Sequence, residues 1–364
     1  MRKRLVIIVY DISILGGAER VSVSIANELS ELCDVTILSL HSSIINPAYK
    51  INGSVKVDFL GLKSDRLRSQ MTEAFGPLCR YLKQNKTDVA LIEGNYSGFV
   101  CSFVRPFVKT KLVFCDHGSF MSQYNDKDIR MIRRISTALC QHTVVLTERS
   151  RRDYIEHFHL KESKISCIYN WIEEQLYDPD AVYDEHSRTI LSVGRFGKEK
   201  GYDLMVDVAE KVLPGHKDWK WVVYGNGETF DEIRLEVDRR DLAGQLILAG
   251  EKRDLTDAYS HAALLVLPSY REGLPLVLLE AKSHKLPLVS FDIITGPGEI
   301  IQNGTDGYLI PPYDTDAMAE KIEELMNDTE LRKRLSEHTY DNMDQFRKRS
   351  ILNKWCELID RLGR

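Results

Sequence analysis

At 364 residues the chain exceeds the roughly 250–300 residues at which a single hydrophobic core stops growing, so two domains are expected. A hydrophobic fraction of 43% beside 28% charged residues excludes a disordered chain, and 22 Gly with 11 Pro exclude a collagen-like or low-complexity one. The seven cysteines are odd in number and form no CxxC pair, which argues against a disulfide framework or a zinc ribbon, and an acidic second half with an isoelectric point near 6.1 argues against nucleic acid as a partner.

Residues 2–4 are basic and 5–10 are apolar. Six apolar residues without a small-residue cleavage site are too few for a signal peptide, so 5–10 reads as a buried first strand. No apolar run nears the ~20 residues that cross a bilayer, and a cytoplasmic location is expected. Further strands are expected at 35–40, 55–60, 89–92, 112–115, 143–146 and 165–169, with helices at 18–32, 66–84 and 128–140. The pattern restarts with strands at 189–193, 219–224, 246–248, 264–267, 286–291 and 308–310. Its helices are expected at 203–212, 230–239, 256–262, 276–285 and 317–326, and a last helix at 350–362 has no strand after it. β-branched apolar strands alternating with helices mean an α/β fold of doubly wound parallel sheets, covered on both faces.

The stretch 171–187 is acidic, contains Pro179 and lacks periodicity. It divides the chain into a unit at 1–170, a linker at 171–187, a second unit at 188–345 and a terminal helical segment at 346–364. Residues 1–170 hold 24 Lys and Arg against 17 Asp and Glu, a net of +7, and residues 171–364 hold 25 against 37, a net of −12. Halves of opposite sign suggest different partners.

Ligands of open α/β sheets sit beyond the carboxyl ends of the strands, so the loops there carry the functional signal. After the first strand comes Leu15-Gly16-Gly17-Ala18-Glu19-Arg20, which is not GxGxxG and carries no dinucleotide fingerprint. Its glycines admit a close ligand, or only a tight turn. Asp116-His117-Gly118 ends a later strand, where His117 would meet a ligand or serve the structure. In the second half, Gly194-Arg195 and Lys200-Gly201 bracket a loop whose two cations suit a diphosphate, or form a solvated basic turn. The segment Ser269-Tyr270-Arg271-Glu272-Gly273-Leu274-Pro275 leads into an apolar helix. Pro275 is expected at its first position. Glu280, in its second turn, needs hydrogen-bond donors such as ribose hydroxyls if buried, or else lies on a wet face. Thr295-Gly296-Pro297-Gly298 is a further strand-end turn.

The Glu272-x7-Glu280 spacing, with Gly194, Arg195, Lys200 and Gly201, resembles retaining GT-B enzymes of glycosyltransferase family 4. So do Gly16-Gly17-Ala18-Glu19-Arg20, Gly225-Asn226-Gly227 and Asp306-Gly307-Tyr308-Leu309-Ile310, in the same order from residue 5 to about 325. The Thr295-Gly296-Pro297 loop further resembles members that build surface polysaccharides and lipid-linked glycans. The resemblance implies two Rossmann-like domains facing across a cleft, the second holding a nucleotide-diphosphate sugar, most simply UDP-linked, and a last helix returning to the first. It implies that Arg195 and Lys200 neutralise the diphosphate, and that Glu272 with Gly273, Leu274 and Pro275 orients the donor. It further implies that Glu280 binds ribose, that Gly16, Gly17 and Arg20 face phosphate or acceptor, and that His117 touches the sugar. One departure is Lys282-Ser283-His284-Lys285, where relatives carry small residues and Gly.

Glycosyl transfer loads negative charge onto the leaving diphosphate, and fixed cations can stabilise it without a metal. Asp178-Pro-Asp180 and Asp314-Thr-Asp316 are therefore read as surface features, not a metal site. Arg130, Arg133 and Arg134 lie on an amphipathic stretch expected to rest on an anionic membrane, the alternative being a solvated helix. A nucleotide-sugar 2-epimerase and a non-catalytic membrane-associated binding protein are the competing functions.

Overall fold

The computed structural model describes residues 2–14, 16–41, 47–172, 177, 180–252 and 254–363. Leu15 of the first loop, and Asp178 and Pro179 of the linker, lie outside the described residues. The chain forms two compact units, Met1–Asn170 with Ile351–Arg364, and Trp171–Ser350.

The first unit is built on β1 (Arg4–Val9), β2 (Asp34–Ser39), β3 (Lys56–Phe59), β4 (Val89–Glu93), β5 (Lys111–Asp116), β6 (His142–Val145) and β7 (Ile165–Cys167). They form one parallel sheet in the order β3-β2-β1-β4-β5-β6-β7. Leu5 of β1 pairs with Val35 on one side and Val89 on the other. The second unit has β8 (Thr189–Val193), β9 (Lys220–Tyr224), β10 (Leu246–Gly250), β11 (Leu264–Leu267), β12 (Leu288–Phe291) and β13 (Gly307–Ile310), in the order β10-β9-β8-β11-β12-β13. All their pairings are parallel. Central strands such as β4, β6, β11 and β12 are buried along their whole length, while edge strand β3 alternates exposed and half-buried residues. That is the signature of sheets covered on both faces and left half-open at the edge.

All thirteen expected strands are present. Among the described residues three α-helices of eight or more residues have no counterpart in the sequence reading: Asn95–Ser102, Glu148–Phe158 and Thr329–Glu337. The first is buried nearly all round, so it shows no apolar stripe. The other two are strongly polar and start at side-chain caps, Thr147 and Asp328, each accepting from a first-turn amide. The last helix, Lys348–Leu362, buries Ile351, Trp355, Leu358 and Ile359. Lys3 ties it to the start of β1 through the Ile359 carbonyl (3.1 Å) and Asp360 (2.8 Å). Among the described residues no helix is long and apolar enough to cross a membrane.

Candidate active site

In the second unit the strand order reverses between β8 and β11, and the loops leaving these neighbours carry the expected donor residues. The loop after β8 is pressed through glycine against the loops after β11 and β9. Gly201 has φ +64°, and a Cβ there would sit 2.1 Å from the Pro268 carbonyl oxygen. Gly225, at φ +148°, would meet the Gly194 oxygen at 1.9 Å. Backbone touches backbone at both points, so no side chain fits.

Lys200 Nζ donates to Glu272 Oε1 at 2.7 Å, and Ser269 Oγ donates to the same oxygen at 2.7 Å. The Lys200 side chain is 21% exposed and that of Glu272 9%, so the pair is largely withdrawn from water. The Glu272 carbonyl accepts from Thr295 Oγ1 at 2.7 Å, which fastens the loop after β12 to the same point. Arg195 is placed differently. Its side chain is 68% exposed and pairs with Glu199 at 3.0 Å. Burial acts to raise the Glu199 pKa, but backbone amide donation, Arg195 and Lys200 outweigh it and hold the carboxyl below its usual range.

The helix after β11 spans Leu276–Ser283, so Pro275 precedes it as the cap, with extended backbone, instead of occupying its first position. No side chain caps that helix start. Gly273 is half-buried, and Leu274 is buried against the turn. Glu280 is buried, not on a wet face, and accepts from Tyr259 Oη at 2.8 Å. The Tyr259 ring stacks on His284 at 5.2 Å.

In the first unit the order reverses between β1 and β4. Gly16 caps the helix Gly17–Leu29 with no side-chain acceptor, and its carbonyl takes the Arg20 amide at 3.0 Å. A Cβ on Gly17 would meet nothing within 4 Å. Glu19, in the first turn, has its pKa raised by burial. His117 follows β5, and its Nε2 bonds Glu93 Oε2 at the end of β4. Burial opposes the charged imidazolium, but Glu93, Asp116 and Glu19 outweigh it and raise the His117 pKa. Sequence reasoning missed Glu93, although an acid closing an otherwise apolar strand was a usable signal. Next in sequence to His117, Asp116 accepts from the Gly118 amide at 2.9 Å, Tyr154 Oη at 2.7 Å and Arg133 Nη2 at 3.3 Å, and is ion-paired with the Arg133 guanidinium.

The family model described as Glycosyltransferase Family 4 matches residues 15–176, and the one described as Glycosyl transferases group 1 matches residues 175–342. The chain is a glycosyltransferase of the GT-B fold. It is 27% identical to the amylovoran biosynthesis glycosyltransferase AmsD of Erwinia amylovora, over 98% of this chain and 99% of that one. It is also 27% identical, over 94% of this chain and 95% of the relative, to the GalNAc-alpha-(1->4)-GalNAc-alpha-(1->3)-diNAcBac-PP-undecaprenol alpha-1,4-N-acetyl-D-galactosaminyltransferase of Campylobacter jejuni. Among solved structures, a mutant of S. aureus TarM in complex with fondaparinux, alpha-GlcNAc-glycerol and UDP superposes with a TM-score of 0.83 at 17% identity, covering 98% of this chain and 100% of that one.

Two sequence expectations of this glycosyltransferase are corrected or explained. Arg133 does not face a membrane: it is 1% exposed and belongs to the Asp116 network, while Arg130 is half-buried and Arg134 exposed. The departure at Lys282 is a buried ion pair. Lys282, 0% exposed, donates to Asp306, to the Ile300 carbonyl at 3.1 Å and to Asn342. Burial pushes the Lys282 pKa down and that of Asp306 up, each charge opposing the shift of the other. Asp314 caps the helix Thr315–Asn327 by accepting from the Ala317 amide, and Asp316 pairs with Lys211 at the surface.

Proposed function

We propose that the enzyme moves a hexose or N-acetylhexosamine from a nucleotide-diphosphate sugar, UDP-linked, to a growing glycan or lipid-linked acceptor, with retention and without a metal. The observation that carries this reading is the Lys200–Glu272 pair, set by adjacent loops at the strand-order reversal of the second unit. As the glycosidic bond breaks, the diphosphate gains charge that Lys200 and the uncapped amides at Leu276 are placed to stabilise. Glu272, held by Lys200 and Ser269, keeps Oε2 for donor hydroxyls. Arg195 turns from Glu199 to the diphosphate, since an exposed ion pair contributes at most about 1 kcal/mol. Glu280 serves the ribose. The names of the Erwinia and Campylobacter relatives support a polysaccharide or lipid-linked acceptor. A screen of UDP-, GDP- and ADP-sugars for acceptor-dependent nucleotide release tests the reading. Release that is independent of acceptor, or survives unchanged in Lys200→Ala, contradicts it; full activity in EDTA supports the metal-free part.

The reading includes a cytoplasmic enzyme resting on an anionic membrane, through a surface other than the one first expected. Arg4, Lys83, Lys86, Lys109 and Lys111 surround a cavity of about 640 Å³ in the first unit, beside Phe107, which is 54% exposed. Cations around an exposed aromatic ring suit an anionic lipid surface. Co-sedimentation with anionic vesicles at low salt, lost in Lys83→Glu/Lys109→Glu, is the expected result; equal binding by that variant contradicts it.

A further inference from the structure

The cavity beside Phe107 lies at the amino-terminal edge of the first sheet: Arg4 opens β1, Asp88 precedes β4 and Lys111 opens β5. His117 and the Gly16-Gly17 loop follow the carboxyl ends of the same sheet, and strands of six residues put about 20 Å between the two edges. The cavity is therefore a separate place from the loops already described. Its floor is hydrogen-bonded: the Thr87 amide donates to the Leu82 carbonyl at 3.0 Å, and the Thr87 carbonyl accepts from Thr110 Oγ1 at 2.9 Å. Thr87 Oγ1 is the polar atom of that residue left over. It is buried without a partner among the described residues, in a side chain that lines the cavity and a residue only 5% exposed. A buried hydroxyl with no partner is rare in native proteins and calls for a guest.

The charges around it select the guest. Five basic residues and one acid line the cavity, and the acid, Asp88, is already taken: its Oδ2 accepts the Arg4 amide at 2.8 Å and lies 3.8 Å from Arg4 Nε. Like charges around a concave wall focus a positive potential, and a hydroxyl inside it is turned to donate to an anion. The helix Leu67–Gln84 ends at this wall, but the carbonyls of Tyr81, Leu82 and Lys83 are closed off by the amides of Asn85, Thr87 and Lys86. Lys86 makes that closing turn at φ +47°, in the region that favours glycine, so the turn itself has no use for a lysine. We propose that this cavity is a phosphate site: it takes one phosphomonoester group, with Thr87 Oγ1 donating to a phosphate oxygen and Lys86 and Lys111 neutralising its charge. Phosphate suits the wall better than carboxylate, because it brings a third acceptor oxygen and close to two negative charges to five cations. The proposal goes beyond glycosyl transfer and sharpens the membrane reading, on which its lipid arm rests: a diffuse basic patch answers to total charge, whereas this site answers to the phosphate group.

The test uses the full chain and two probes: glycerol 3-phosphate in solution, with acetate as its control, and phosphatidylcholine vesicles carrying phosphatidic acid, with phosphatidylserine vesicles of matched surface charge as theirs. Binding of glycerol 3-phosphate over acetate in calorimetric titration supports the site with a soluble source. Tighter co-sedimentation with phosphatidic acid than with phosphatidylserine supports it with a lipid one. In Thr87→Val the affinity for the responding probe should fall roughly tenfold, the loss expected for one hydrogen bond to a charged group. The melting temperature should hold or rise, because a buried orphan hydroxyl is removed. Lys86→Gly should also weaken binding several-fold without lowering the melting temperature, since glycine relaxes the turn. Where Thr87→Val melts below wild type, the Lys86→Gly result decides. A phosphate held by the donor loops would be indifferent to both substitutions. Binding of neither probe, affinity unchanged in these variants, or controls bound as tightly as the phosphate probes each overturns the proposal. Vesicle binding that is lost in Lys83→Glu/Lys109→Glu but blind to headgroup and to Thr87→Val refutes the phosphate site and leaves the membrane reading standing. Nucleotide release reports separately on the transferase reading.

Discussion

At the scale of single residues, the site divides into groups that hold charge and groups that hold those groups. Lys200 keeps 21% of its side chain exposed and lies outside the apolar core of its unit, so Lys200→Ala should cut kcat by about 10²–10³ with little change in melting temperature. Steady-state kinetics beside a thermal melt checks this, and an equal loss of stability would assign Lys200 a structural role. His117 gives a pH signature. Its carboxylate neighbours raise its pKa above the ordinary value near 6.5. The contribution of the Glu93 pair to stability is therefore complete below that value and fades as pH rises through the raised one. The melting-temperature gap between wild type and Glu93→Gln should narrow across that window; a gap independent of pH contradicts the pairing.

From sequence, Lys200 and Glu272 were readable as strand-end loop residues, and the structure brings them together where Gly201 lets two such loops touch backbone to backbone. Gly225, noticed only through the family resemblance, makes a like contact from the loop after β9. Glu93 was not readable, because an acid one step past an apolar run looks like a strand boundary until its partner His117, 24 positions away, is brought beside it. Arg133 misled for the opposite reason. Arginine at helical spacing looks solvated, and it is the buried carboxylate of Asp116 on β5, with the Ser119 and Phe120 carbonyls and Gln123, that makes it an interior residue.

At the scale of elements, strands were read well because central parallel strands are apolar end to end, and helices less well because propensity and amphipathicity fail when a helix is wholly buried or almost wholly polar. The helix Leu276–Ser283 shows what the residues after Glu280 do. Lys282 anchors it to Asp306, which opens the β13 segment, and to Asn342. Removing one partner strands a buried charge, so Lys282→Met should lower unfolding free energy by roughly 3–5 kcal/mol, and Lys282→Met/Asp306→Leu should recover most of it. Denaturant titration of both variants decides, and additive losses would refute the coupling. The last helix carries a second pH response. His142 Nε2 lies 3.4 Å from Arg361, and burial, then Arg361, push the His142 pKa down to about 4. The unfolded chain takes up that proton near 6.5, so stability is lost as pH falls from about 6.5 toward 4. His142→Gln should flatten that part of the stability curve; an unaltered slope contradicts it.

For the whole molecule, each unit repeats one device: a parallel sheet whose strand order reverses at its centre, with the charged residues on the loops beside the reversal. The residues proposed to hold the donor stand on such loops in the acidic second half, and in the basic first half Lys83, Lys86 and Lys109 line another cavity. That difference follows from what each unit is proposed to bind: a sugar nucleotide in one, a phosphate group and a lipid surface in the other. The central claim is that Lys200 holds the diphosphate of the donor while Glu272, held by Lys200, meets its sugar hydroxyls. Calorimetric titration of UDP into wild type and Lys200→Ala tests it most directly. Binding by the wild type, weakened at least about tenfold in Lys200→Ala, is the expected result; equal affinity for both proteins would contradict the account.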